Sequence, residues 1–426
     1  MPKASRTKPG KPYPSFPLTA HLNGQWCKKI RGKVHFFGVW SDPDAALANY
    51  LRVAADLHAG REPASVSSGE LTVKEMGNEF LAYQMERVSA GQIAPRSFGD
   101  YQAVVRQFAL SIGTSRPASS LGAADFQRYR RLLVTQGLSG KRGLGVHALT
   151  RTITIVRGMF KWAVDTGLLE HTPRWGRAFA RASAVEFRRS RAKHEREHGK
   201  KIFTAEQARA LIDAAHPTLQ AAILLGVNGG FGNSDCGALP IAAVNLDTAV
   251  IDFERPKTAV RRVVPLWPET ITALKTVLTT ERVAPATKAA APLVFRTESG
   301  LPVVRQIMRA GGDGEFEKVT HVDRLSDWFD ELLAAKKLKR RGIGFYTLRH
   351  TFRTWADETN DQHAIHRIMG HTLPGMSGIY VEEIGLERLR RVVNHVRSKL
   401  WPQSPAEQAP PAGADQSSTD EVGSGA

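Results

Sequence analysis

Cysteine is nearly absent: Cys27 and Cys236 are the only two in 426 residues. That excludes a disulfide framework and any zinc site built from several thiolates. Long apolar runs are missing as well. The longest, Ala221 to Val227 with its neighbours, is far short of the ~20 residues that span a bilayer. The basic start, Met1-Pro-Lys-Ala-Ser-Arg-Thr-Lys8, leads into no apolar core of the kind a secretory signal carries. These absences set the expectation of a cytoplasmic protein with no membrane association and no cofactor. Acidic residues are in deficit, 41 Asp and Glu against 59 Lys and Arg, for a formal charge of +18. With 42% hydrophobic and 8% aromatic residues the chain can build packed cores. The surplus therefore belongs to a folded, polyanion-seeking protein. Only the end reverses the sign: 402–426 carries Glu407, Asp415, Asp420 and Glu421 without Lys or Arg, and is expected to be a disordered acidic tail.

Residues 1–17 hold four cations among five prolines and read as a disordered basic tail. Gln25 to Ile30 and Lys33 to Phe37 flank Arg31-Gly32, with Asn23-Gly24 just before, so short strands and tight turns make a basic β-meander. A helix from Asp42 to about His58 covers it, completing a unit over 18–60. Lys28, Lys29, Arg31 and Lys33 are expected on one side of the sheet, facing duplex DNA or forming a solvated face. Helical periodicity over Val73–Ser89, Arg96–Ile112, Ala123–Thr135 and Leu149–Ala163 predicts a four-helix domain over 70–176. Ile153, Val156, Met159, Phe160 and Ala163 form its core stripe. The stretch 177–201 reads as a basic linker able to clamp a duplex through Arg188, Arg189 and Arg191, or as a solvated helix.

Thr204-Ala-Glu-Gln207 fits a capping box and opens a last domain over 202–398. Helical periodicity runs to Val227 and breaks at Gly229, Gly230 and Gly232. Val250–Phe253 and Arg261–Val264 read as strands around a turn holding Lys257, and Leu293–Phe295 as a third. The pattern beyond is helical to about Leu400. The fold class expected is mostly α with small β-sheets.

The chemistry concentrates in Tyr346-Thr-Leu-Arg349-His350-Thr-Phe-Arg353, in Ile368-Met-Gly-His371 and in Tyr380, nine residues after that histidine. These motifs, in this order, resemble the tyrosine recombinases, the phage-integrase type of DNA strand-exchange enzyme. The resemblance covers about 200–396, with the helical block and β-meander looking like the core-binding and arm-binding domains of such proteins. It implies a tyrosine-recombinase catalytic domain of mixed α+β structure in which Tyr380 attacks a DNA phosphodiester, leaving a 3′-phosphotyrosyl link and a free 5′-hydroxyl without ATP or metal. A phenol of pKa about 10 is only ~0.1% ionised at neutral pH, so cationic neighbours must assist. Arg349 and His371 match the phosphate ligands of the family, each such donor contributing ~3–4 kcal/mol to the transition state. Lys257 matches the hairpin lysine that protonates the leaving 5′-oxygen.

Two positions depart from the family pattern. Tyr346 stands where the histidine of His-x-x-Arg belongs. Asp235 matches the acidic position of the Thr-Gly-x-Arg-x-x-Glu stretch, which puts the first arginine position at Gly232, where there is no side chain. Arg255, Arg261 and Arg262 are the nearest substitutes by sequence, and Asn233 a neutral donor. His363, His366 and His371 lack a carboxylate or thiolate set to complete a metal site. Three readings remain open: a site-specific recombinase or integrase assembling as two to four protomers on paired DNA sites; a catalytically impaired DNA-binding protein or mobile-element remnant; and a type IB topoisomerase. In the first, residues 384–396 form a helix exchanged between protomers or packed on their own domain.

Overall fold

The computed structural model describes residues 8–60, 70–309, 318–372 and 383–402. Tyr380 and the acidic tail from 403 lie outside the described residues. Helices and small antiparallel sheets form two compact units, 1–194 with 306–320 and 195–305 with 321–426.

In the first unit, β1 (Thr19–His21), β2 (Gln25–Ile30) and β3 (Lys33–Val39) pair in that order. Arg31 and Gly32 adopt φ of 49° and 86°, the left-handed pair that a two-residue hairpin needs. Helix α1 (Pro43–His58), capped by Asp42, packs Ala46, Tyr50 and Leu57 against Trp26, Ile30 and Phe37. Two expectations change here. The segment before β1 is not a solvated tail throughout, because Phe16 and Leu18 are buried and Phe16 meets Trp26 edge-on at 4.9 Å. One aromatic anchor outweighs the prolines around it. Lys28 and Lys29 do not share a side, since successive strand residues point to opposite faces. Lys28 donates to the Tyr50 hydroxyl of α1 at 2.9 Å, while Lys29 is exposed. Arg31 turns back to the C-terminus of α1, donating to the His58 carbonyl.

The helices α2 (Val73–Ser89), α3 (Pro95–Ile112), α4 (Ala123–Thr135) and α5 (Val146–Asp165) enclose a second core containing the stripe Ile153, Val156, Met159, Phe160 and Ala163. Thr72 and Glu75 close a capping box at the start of α2. The basic stretch from 177 is structured rather than a linker throughout. Phe179 is buried against Phe126 and Trp175, and α6 (Ala184–His198) follows, with Arg188, Arg189 and Arg191 exposed. Ser183 and Glu186 exchange hydrogen bonds at its start, a capping signature legible in the sequence.

The second unit is built around α8 (Pro217–Gly229), preceded by α7 (Ala205–Ala214) with the expected Thr204–Gln207 box. Every residue of α8 from Ala221 to Gly229 is buried. The short α9 (Asn233–Gly237) leads to the sheet β4 (Val244–Asn245), β5 (Val250–Arg255), β6 (Val260–Pro265), and α10 (Pro268–Thr279) follows. Leu293 to Phe295 is not a strand; Leu293 makes a single bridge to Pro240. Nor is the remainder all helical, because β7 (Val304–Arg309) and β8 (Lys318–Asp323) pair before α11 (Arg324–Ala335). Then come α12 (Thr347–Ala356), α13 (Gln362–Met369) and α14 (Leu386–Leu400). Helix α14 buries Leu389, Val392, Val393, Val396 and Leu400 in the core of this same unit, and the Trp267 indole donates to the Val393 carbonyl at 2.9 Å.

Candidate active site

Two helix ends meet in the second unit. Helix α8 stops in the left-handed Gly230, and α13 stops in the left-handed Gly370. A helix C-terminus leaves carbonyls without intrahelical donors and carries partial negative charge. Two guanidiniums satisfy them. Arg349, on the first turn of α12, donates to the carbonyls of Gly230 and Met369. Arg262, on β6, donates to Gly229 at 2.6 Å and to Ile368 at 3.1 Å while stacking on the Phe231 ring. Arg349 is 2% exposed and Arg262 is fully buried.

Asp235 sits among these cations. Its carboxylate accepts from Arg255 Nε at 3.0 Å and from the Gly232 N–H at 3.0 Å, and lies 3.4 Å from Arg262 and 3.6 Å from Arg349. Three guanidiniums thus share one carboxylate, an excess of two positive charges in a site where all four side chains are nearly or wholly buried. Burial lowers the pKa of Arg262 to about 9, with Arg349 and Arg255 adding to the fall and Asp235 opposing it. Arg349 is lowered by burial first and by Arg255 next. Such a cluster is electrostatically incomplete without an anion, and tetrahedral oxyanions suit guanidinium forks.

His371 joins it one residue beyond Gly370. Its Nε2 lies in hydrogen-bond contact with the Arg349 guanidinium, and its backbone N–H donates to the His366 carbonyl at 3.0 Å. Since arginine only donates, Nε2 accepts here and the ring is neutral. Burial lowers its pKa to about 4, reinforced by Arg349, Arg255, His366 and Arg262. The unfolded chain gains a proton as pH falls through about 6.5, whereas the folded chain resists until about 4. Stability is therefore complete above 6.5 and declines as pH falls toward 4. In His371→Gln that decline should be shallower, as urea denaturation at successive pH values would show.

The hairpin of β5 and β6 carries Lys257 in its turn. Lys257 is exposed, and the Thr258 hydroxyl donates to the Gly370 carbonyl at 3.0 Å, fastening the turn beside His371. Tyr346, at the N-cap of α12, is 47% exposed. Its ring lies 3.2 Å from where a Cβ on Gly232 would stand, so the space beside position 232 is filled by the aromatic ring. Its phenol also acts on Arg349, opposing the lowering of that pKa.

Two nominated phosphate ligands point elsewhere. Arg261 is neighbour to Arg262 on the strand and so faces the other side, where Asp252 grips it through both carboxylate oxygens. Asn233 donates to Asp323 and to Ser326 at the start of α11. His366 and His371 approach edge-on at 5.6 Å, and among the described residues no three His, Cys, Asp or Glu side chains form a metal-binding group.

Residues 201–384 match the model of the phage integrase family. No protein with a curated description matches the chain. Among solved structures, the integrase of transposon Tn1549 in complex with a circular intermediate DNA aligns at TM-score 0.51 and 14% identity, covering 76% of this chain and 99% of that one. The same integrase with transposon right end DNA aligns at 0.51 and 14%, covering 77% and 100%. A lambda integrase dimer bound to a COC′ core site aligns at 0.50 and 12%, covering 74% and 100%. At these identities the likeness is one of fold.

Proposed function

We propose that the chain, whose residues 201–384 match the phage integrase family, is a tyrosine recombinase of that family, a site-specific enzyme that cuts and rejoins duplex DNA. The observation that carries this reading is the cluster of three guanidiniums, Arg255, Arg262 and Arg349, around a single carboxylate, with the neutral His371 ring on Arg349. Its excess charge fits the scissile phosphate and the further negative charge that gathers on the non-bridging oxygens as phosphorus becomes five-coordinate. In the proposed reaction the Tyr380 hydroxyl gives up its proton to solvent as its oxygen bonds to phosphorus, the P–O5′ bond breaks, and Lys257 gives a proton to the departing O5′, later regaining one from solvent. The bond is conserved as a 3′-phosphotyrosyl ester, and a 5′-hydroxyl reverses the step to rejoin the strands. Two or four protomers assemble on paired sites. Basic residues of the first unit, Lys29, Lys33, Arg188, Arg189 and Arg191, contribute phosphate contacts. Binding should then weaken steeply with salt as counterions are released.

The decisive experiment incubates the chain with nicked duplex DNA recovered from a random-sequence pool by retention on the protein. A covalent protein–DNA adduct is expected from the wild type and none from Tyr380→Phe. A second reading, a binder that has lost cleavage, is favoured by Gly232 alone, and a wild type that retains DNA without forming an adduct would establish it. Relaxation of supercoiled plasmid by the lone protein would instead favour a topoisomerase.

A further inference from the structure

We propose that Arg255, delivered by strand β5, takes the phosphate-binding role left unfilled at position 232, so that Arg255 and Arg349 together hold the scissile phosphate. This rests on the recombinase reading above. Of the three substitutes by sequence, Arg255 combines proximity with two free terminal donors, whereas Arg262 keeps only Nη1 without a hydrogen-bond partner, and that atom is enclosed. Arg262 is fully buried and spends its nitrogens on Gly229 and Ile368, with Asp235 beside the remaining one. Arg261 is held outside by Asp252. Arg255 uses only Nε, on Asp235, and its two terminal nitrogens have no hydrogen-bond partner among the described residues. It shares the Asp235 carboxylate with Arg349, at 3.0 and 3.6 Å.

Glycine at 370 makes that position possible. Gly370 has φ 61°, and a Cβ there would come within 3.1 Å of the Arg255 Cβ and Cδ atoms. The arginine stem therefore lies along the loop that carries His371. Asp235 orients the guanidinium from one edge, leaving the opposite edge to donate to two phosphate oxygens. At position 232 the matching space is closed by Tyr346. The absent side chain at 232, the strand arginine on Asp235 and the tyrosine ring that fills the gap are then parts of one arrangement.

The test uses the full chain and pool-selected nicked DNA whose cleavage position has been mapped with the wild type. Two versions of that DNA are compared, one with the natural phosphodiester at the scissile position and one with an uncharged methylphosphonate. Arg255→Ala should slow adduct formation on the phosphodiester by ~10²–10³-fold. It should be far closer to wild type on the methylphosphonate, where no charge needs the missing fork. Arg255→Gln retains a donor toward Asp235 and should behave alike if the alanine variant folds poorly. Arg261→Ala should match the wild type on both DNAs. An Arg255 variant that cleaves the phosphodiester at the wild-type rate would overturn the assignment. So would a folded variant equally slow on both DNAs, since that loss is indifferent to phosphate charge. A wild type that yields no adduct at all would instead remove the recombinase reading, and this inference with it.

Discussion

Replacing Asp235 by alanine is expected to destabilise the unit that holds it by ~3–5 kcal/mol, the cost of stripping a buried cation of its only counter-charge. Here the penalty falls on three guanidiniums at once, because Arg255, Arg262 and Arg349 all lie within 4 Å of that carboxylate. The Gly232 N–H at the start of α9 also loses its acceptor. Removing Asp235 exposes nothing to water that could compensate, since Asp235 is 3% and Arg262 0% exposed. Thermal or urea unfolding of the full chain would measure the loss. Adding sulfate should restore more stability to Asp235→Ala than to the wild type, because an anion that binds only the folded state stabilises it in proportion to occupancy. If sulfate helped both equally, the cluster would not be the anion site.

Arg349→Lys is expected to lower the rate of adduct formation by ~10²–10³-fold while leaving DNA retention and its salt dependence almost unchanged. Lysine preserves the charge but not the planar fork. Arg349 spans the carbonyls of Gly230 and Met369 and still reaches His371. A single ammonium cannot bridge both helix ends and address a phosphate as well. Long-range attraction to DNA comes from the whole basic surface, so retention should survive while chemistry fails. Parallel loss of retention and cleavage would mean that Arg349 holds the domain together rather than the transition state.

The sequence disclosed much of this arrangement through periodicity and spacing. Helix α2 runs over the expected Val73–Ser89, because a capping box and an apolar stripe agree on its limits. The two-residue turn at Arg31-Gly32 was legible for a similar local reason. Choosing among Arg255, Arg261 and Arg262 was also within reach: strand alternation puts Arg255 on the face of Ile251 and Phe253, pairs Arg262 with Phe253, and sends Arg261 outward. Other features depend on distant partners. Asn233 is claimed by Asp323, 90 residues away, and Tyr346 fills space beside Gly232, contacts that no local pattern announces. The β7–β8 pair escaped notice because a two-stranded ladder flanked by helical sequence leaves little periodic signal.

The Thr258–Gly370 hydrogen bond acts as a latch on the hairpin whose strand ends in Arg255 and whose turn displays Lys257. The proposed clamp and the proposed proton donor are two residues apart on that hairpin, so if both roles hold, loosening the latch by Thr258→Val should slow adduct formation more than it weakens DNA retention.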